Sequence, residues 1–220
     1  MTRTIQLFPQ TVYETELEDY NLMQDDLIEY IKTNFHPEYM NEYHGHDHPI
    51  RNGALYKIYD KYAFTNEGES KTINDPNLQK LYDWITFHGK EYWKVLNFNR
   101  MLDPYILQLW ATATGKGGFV ASHNHNPVAI SGVFYLKAEP KLGNLFLENP
   151  MDLVLGKSSY HSDKLTPTRF NHEIESVSGK LVLFPGWMKH FTRPNPTDEI
   201  RMSMAINFGC QGQVYITEFA

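Results

Sequence analysis

The sequence predicts a mainly β fold with helices at its N-terminal end, and three observations predict it. From about residue 104 onward, short strand-like runs follow one another with Gly and Pro between them and no helix-length segment. Before that point, apolar residues recur at helical spacing. Tyr and Phe are abundant, and the aromatic share of 14% suits strands and a well-lined pocket. Strands without intervening helices argue for an antiparallel sandwich or barrel.

The elements follow in chain order. Leu22, Met23, Leu27, Ile28, Ile31 and Phe35 form one helical stripe, and Pro37 stops it. Tyr43–Pro49 and Thr65–Ser70 read as loops. A second helix starts at Asp75-Pro76, where the carboxylate caps and the proline fits the first turn. Its stripe is Leu78, Leu81, Ile85, His88, Tyr92 and Val95. Strands are expected at 105–113, 119–123, 128–137, 144–147, 180–184, 200–208 and 213–219. Gly115-Lys116-Gly117-Gly118 reads as a turn between two of them. The segment 150–171 is long and irregular, which suits a lid.

At 220 residues the chain suits one domain, with 1–103 as a mostly helical part packed on the outer face of a 104–220 β core. Hydrophobic residues make up 41%, enough for a core. The formal charge of −6 and the absence of a Lys/Arg run disfavour nucleic acid as a partner. The single cysteine, Cys210, leaves no intrachain disulfide and fits a reducing interior. No stretch is apolar enough for a membrane span or a signal peptide, so a cytoplasmic protein is expected. A homodimer is compatible with all of this.

Chemistry concentrates in a few residues. His123 and His125 flank Asn124, and side chains two apart on a strand share a face. Far downstream stands His190, then ten residues, then Arg201-Met202-Ser203. If Pro194-Asn195-Pro196-Thr197 is the centre of a hairpin, His190 and Arg201 face each other across adjacent strands. Arg201, Ser203, Ala205 and Asn207 alternate with Met202, Met204 and Ile206, giving one polar face. Three imidazoles beside a guanidinium suggest a metal with an anion clamp, which fits a small diacid held at both ends.

This pattern resembles the iron(II)- and 2-oxoglutarate-dependent oxygenases over roughly residues 104–210. The resemblance is closest to a bacterial and phage subgroup. It rests on Ser122-His123-Asn124-His125, Ser131-Gly132-Val133-Phe134-Tyr135-Leu136, the run Gly179–Trp187, His190, and Arg201, Ser203 and Asn207. It implies a double-stranded β-helix (jelly roll, cupin-like). It implies a dioxygenase that consumes O2 and 2-oxoglutarate, hydroxylates a small molecule or peptide, and releases succinate and CO2. It assigns iron(II) to His123, His125 and His190, and the cosubstrate to Arg201 and Ser203, with Asn207 and Tyr105 as further pocket residues.

The sequence departs from the wider superfamily at His125, where an acid normally stands. Glu148 or Asp152 is the alternative third ligand. Three readings compete with the oxygenase. One is a cupin-type three-His protein (dioxygenase, isomerase or binding module) that does not use 2-oxoglutarate. The others are a three-His zinc hydrolase and a jelly roll that binds without turnover. The bland readings are also specific. His44–His48 is a solvated loop or a lid, His88 is a core histidine, and His36, His161 and His172 are loop residues. Trp110 and Trp187 either pack in the core or wall the pocket.

Overall fold

The computed structural model describes residues 10–40, 49–60, 73–150 and 171–210. Its elements are β1 (Tyr13–Glu16), α1 (Gln24–Asn34), β2 (Pro37–Met40), β3 (Ile50–Asp60), α2 (Pro76–Val95), β4 (Pro104–Val120), β5 (Ile130–Lys137), β6 (Leu145–Glu148), β7 (Asn171–Ile174), β8 (Lys180–Pro185), β9 (His190–Thr192) and β10 (Arg201–Cys210). Two antiparallel sheets result. The major sheet runs β1-β8-β5-β10-β4-β3-β2 and the minor one β7-β6-β9.

Strand alternation divides the major sheet into two faces. Met202, Met204, Ile206 and Phe208 point to the helices and join Leu27, Ile31, Leu78, Leu81 and Ile85 in the larger core cluster. The opposite face, with Tyr135, Val182 and Phe184, packs on Leu145, Leu147 and Ile174 of the minor sheet. The helices therefore lie on the outer face, and the space between the sheets is left for a site.

Both helices form where the apolar spacing placed them. Asp75 accepts the Leu78 N–H at 2.8 Å, with Pro76 in the first turn. Gly89 lets α2 settle on the sheet, because a Cβ there would fall 2.3 Å from the Phe208 ring. Leu22, in the turn before α1, and Val95, the last residue of α2, leave their stripes and are exposed. His88 is half-buried, with Nδ1 2.8 Å from the Tyr13 hydroxyl and its ring edge-on to Trp84.

Three departures from the sequence reading matter. First, β1, β2 and β3 come from the first sixty residues and complete the major sheet at both edges. Second, 115–118 is not a turn between strands. It is a bulge within one long strand, because Arg51 pairs with Phe119 while Gly53 already pairs with Thr114. Third, Asn195 is not the tip of a two-stranded hairpin. It is fully buried, exchanges backbone bonds with Gly117 and Gly118, and its amide donates to the Thr114 and Glu199 carbonyls. This corner carries the chain from the minor sheet to the major one. The expected strand 213–219, all but the two end residues of the lid segment 150–171, the Thr65–Ser70 loop and the His44–His48 loop lie outside the described residues. No described helix is long and apolar enough to cross a membrane.

Candidate active site

The cleft between the sheets collects side chains from separate elements, some of them predicted and some not. Trp110 and Thr112 come from β4, Tyr135 from β5, His190 and Thr192 from β9, and Arg201, Ser203 and Ala205 from β10. His123 and His125 reach in from the segment between β4 and β5. That segment is not a strand of either sheet. It is held by His123 and His190 exchanging backbone bonds at 3.1 and 2.9 Å, and by the His125 N–H donating to Gly186 at 2.8 Å.

The three imidazoles converge. Ring centroids lie 4.8 Å apart for His123 and His125, 4.2 Å for His123 and His190, and 5.2 Å for His125 and His190. One nitrogen of each lies within 4.8 Å of the others. The His123 Nδ1 is 2.8 Å from the Ala121 carbonyl, and the His190 Nδ1 is 3.0 Å from that of Met188. A carbonyl only accepts, so Nδ1 carries the proton in both rings and each Nε2 offers a lone pair. The His123 and His125 Nε2 atoms approach to 3.2 Å. Burial, followed by the neighbouring His123, holds His190 well below the ordinary imidazole pKa. The ring is thus kept neutral, the form that ligates metal. The donor set fits a divalent ion such as iron(II).

Arg201 is 3% exposed. Its Nη1 donates to the Gly143 carbonyl at 2.7 Å and to that of Leu142 at 3.4 Å, and its Nη2 to the Thr192 hydroxyl at 3.0 Å. No carboxylate among the described residues pairs with it. Burial lowers its pKa, and an arginine stays charged regardless. Beside it, the Tyr135 hydroxyl is fully buried with no hydrogen-bond partner among the described residues, and burial raises its pKa despite the nearby guanidinium. Ser203 and Thr112 share a hydroxyl–hydroxyl bond of 2.9 Å. An unneutralised buried cation and an orphaned hydroxyl both mark the place of an anionic ligand.

The sequence reading placed His190 opposite Arg201 on adjacent strands, and this is corrected. His190 pairs with Leu147 in the minor sheet, and Arg201 with Thr114 in the major sheet. They meet across the gap between sheets. Asn207 shares the Arg201 face but is not a cavity-lining residue. Its carboxamide accepts from the Ser131 hydroxyl at 2.7 Å and donates to Gln108 at 3.0 Å. Tyr105, opposite Gly209 at the start of β4, is also absent from the lining. Glu148 is on the β6 face opposite Leu145 and Leu147 and is not in the histidine group, and Asp152 lies outside the described residues. The sequence reading missed Tyr135, Thr192 and Thr112. Tyr135 sat in a quoted motif, and alternation from Ser131 would have placed it on the cavity face.

Residues 108–207 match the model of the family described as "Putative 2OG-Fe(II) oxygenase", a span that contains the whole histidine group and Arg201. That stretch, just under half of the chain, is similar to the iron(II)- and 2-oxoglutarate-dependent oxygenases. Solved structures agree on the fold. An oxidoreductase of the 2OG-Fe(II) oxygenase family from Burkholderia pseudomallei superposes with a TM-score of 0.56 at 12% identity, covering 89% of this chain and 84% of that one. A Pseudomonas putida prolyl-4-hydroxylase gives 0.55 at 14%, covering 90% and 92%. HygX from Streptomyces hygroscopicus, with nickel and 2-oxoglutarate bound, gives 0.55 at 11%, covering 91% and 83%. No curated protein sequence matches the chain. The chain shares with these oxygenases the double-stranded β-helix fold.

Proposed function

We propose that the chain is an iron(II)- and 2-oxoglutarate-dependent dioxygenase that hydroxylates a small molecule or a peptide, with His123, His125 and His190 as iron(II) ligands and Arg201, Ser203 and Tyr135 as the 2-oxoglutarate site. The observation that carries this reading is the buried Arg201, unaccompanied by any described carboxylate, on the wall of the cavity into which three imidazoles open. A buried cation is costly until an anion completes it. The distal carboxylate of 2-oxoglutarate supplies that anion, and a cupin or zinc-hydrolase reading leaves the arginine without a task.

Iron(II), when bound, supplies the dioxygen activation that couples decarboxylation of 2-oxoglutarate to oxidation of the substrate. The chain supplies the rest. The Ala121 and Met188 carbonyls fix two ring orientations in advance of the metal. The carbonyls on Arg201 Nη1 hold the guanidinium so that its remaining N–H groups face one carboxylate in a fork. Val133, Leu145 and Phe184 keep water from the reacting centre. Arg201 is the one charged side chain among the described lining residues, which supports a substrate that is uncharged where it reacts. The lone, buried Cys210 suits a reducing, cytoplasmic setting.

Anaerobic addition of iron(II) and 2-oxoglutarate should give a weak charge-transfer band in the visible. The band should vanish in His190→Ala and fall sharply in Arg201→Gln. Metal-loaded wild type without the band contradicts the proposal.

A further inference from the structure

We propose that Thr192 is a direct ligand of the distal carboxylate of 2-oxoglutarate and helps the enzyme select a diacid. This rests on the cosubstrate site proposed above. Thr192 stands two residues after His190 on β9, so both side chains share a face, and both line the cavity. Its hydroxyl oxygen accepts twice, from the Val120 N–H at 2.9 Å and from Arg201 Nη2 at 3.0 Å. A hydroxyl has two lone pairs and one hydrogen. With both lone pairs engaged, the group acts as a donor only. Valine has the same shape and could not take either bond.

The two donors also fix where that hydrogen goes. With Cβ and two incoming N–H groups around the oxygen, one tetrahedral direction is left. No acceptor is recorded for it among the described residues. The donors come from β4 and β10, strands of the major sheet, whereas Thr192 belongs to the minor sheet. The hydroxyl thus bridges the two walls at the end of the cavity that holds Arg201. Donation from Arg201 polarises the O–H and strengthens it toward an anion. An acceptor-only carboxylate beside the guanidinium satisfies the hydroxyl hydrogen and the free N–H groups together.

The test is binding of 2-oxoglutarate and of 2-oxovalerate, which lacks the second carboxylate, to the oxygen-free, manganese(II)-loaded full chain by calorimetry. Thr192→Val should weaken 2-oxoglutarate about tenfold and leave 2-oxovalerate unchanged, and Thr192→Ser should restore wild-type binding. In an Arg201→Gln background, Thr192→Val should still weaken 2-oxoglutarate. No further loss there would mean that Thr192 acts only by holding the arginine, and would overturn the assignment. Equal weakening of both keto acids would also overturn it. If Arg201→Gln by itself fails to discriminate the two acids, the cosubstrate site is wrong at its root, an outcome separate from a failure at Thr192.

Discussion

Tyr135 is the residue whose chemistry is least expected in a folded core. Its hydroxyl is buried without a partner among the described residues, next to a buried guanidinium. Left unsatisfied, such a group costs about 1–3 kcal/mol. Tyr135→Phe should therefore leave the ligand-free protein as stable as wild type or more so in urea unfolding. The same substitution should weaken 2-oxoglutarate binding about tenfold. A hydroxyl that served only the fold would show the opposite pair of results. The convergence of the three histidines with Arg201 was expected from residue types and spacing together with the family resemblance, which is what singled out His125. How they converge was not. Counting outward from Asn195 treats the corner as a hairpin, and only the buried amide bonds of Asn195 reveal that it turns between sheets.

At the scale of elements, the first sixty residues show what periodicity resolves and what it does not. α1 and α2 bury one stripe each, and α2 is capped by Asp75, so they were readable. β1 is four residues at a sheet edge, and β3 interrupts its alternation at Asn52-Gly53, where a Cβ on Gly53 would fall 2.7 Å from the Ala113 carbonyl. Strands of this kind are specified by their neighbours, not by their own pattern. The β1–α2 contact is also pH-sensitive. The Tyr13 hydroxyl and His88 Nδ1 share a hydrogen bond of 2.8 Å, and burial holds that ring below its ordinary pKa against the pull of Glu91. The unfolded chain then binds more protons at this site than the folded one. The stabilisation is complete above pH ~6.5 and declines as the pH falls toward the folded value. The stability gap between wild type and His88→Gln in urea should narrow below that pH. A gap independent of pH would contradict the assignment.

The whole molecule is a cleft between two sheets with helices behind the larger one. The polar face of β10 and the end of β9 look at each other across that cleft, which is why His190 of the metal group and Arg201 of the anion clamp, on strands of different sheets, serve one cavity. Composition and turn spacing gave the sandwich, because antiparallel strands advertise themselves through Gly and Pro. The division of strands between sheets depends on long-range pairing, which no local pattern records. The central claim is that three imidazoles bind the metal and Arg201 binds the cosubstrate. A crystal structure of the chain with nickel and 2-oxoglutarate tests it most directly. The account predicts a metal about 2.0–2.2 Å from the ring nitrogens of His123, His125 and His190, with the distal carboxylate on Arg201. A metal held by a carboxylate in place of His125, or a cosubstrate seated away from Arg201, would contradict it.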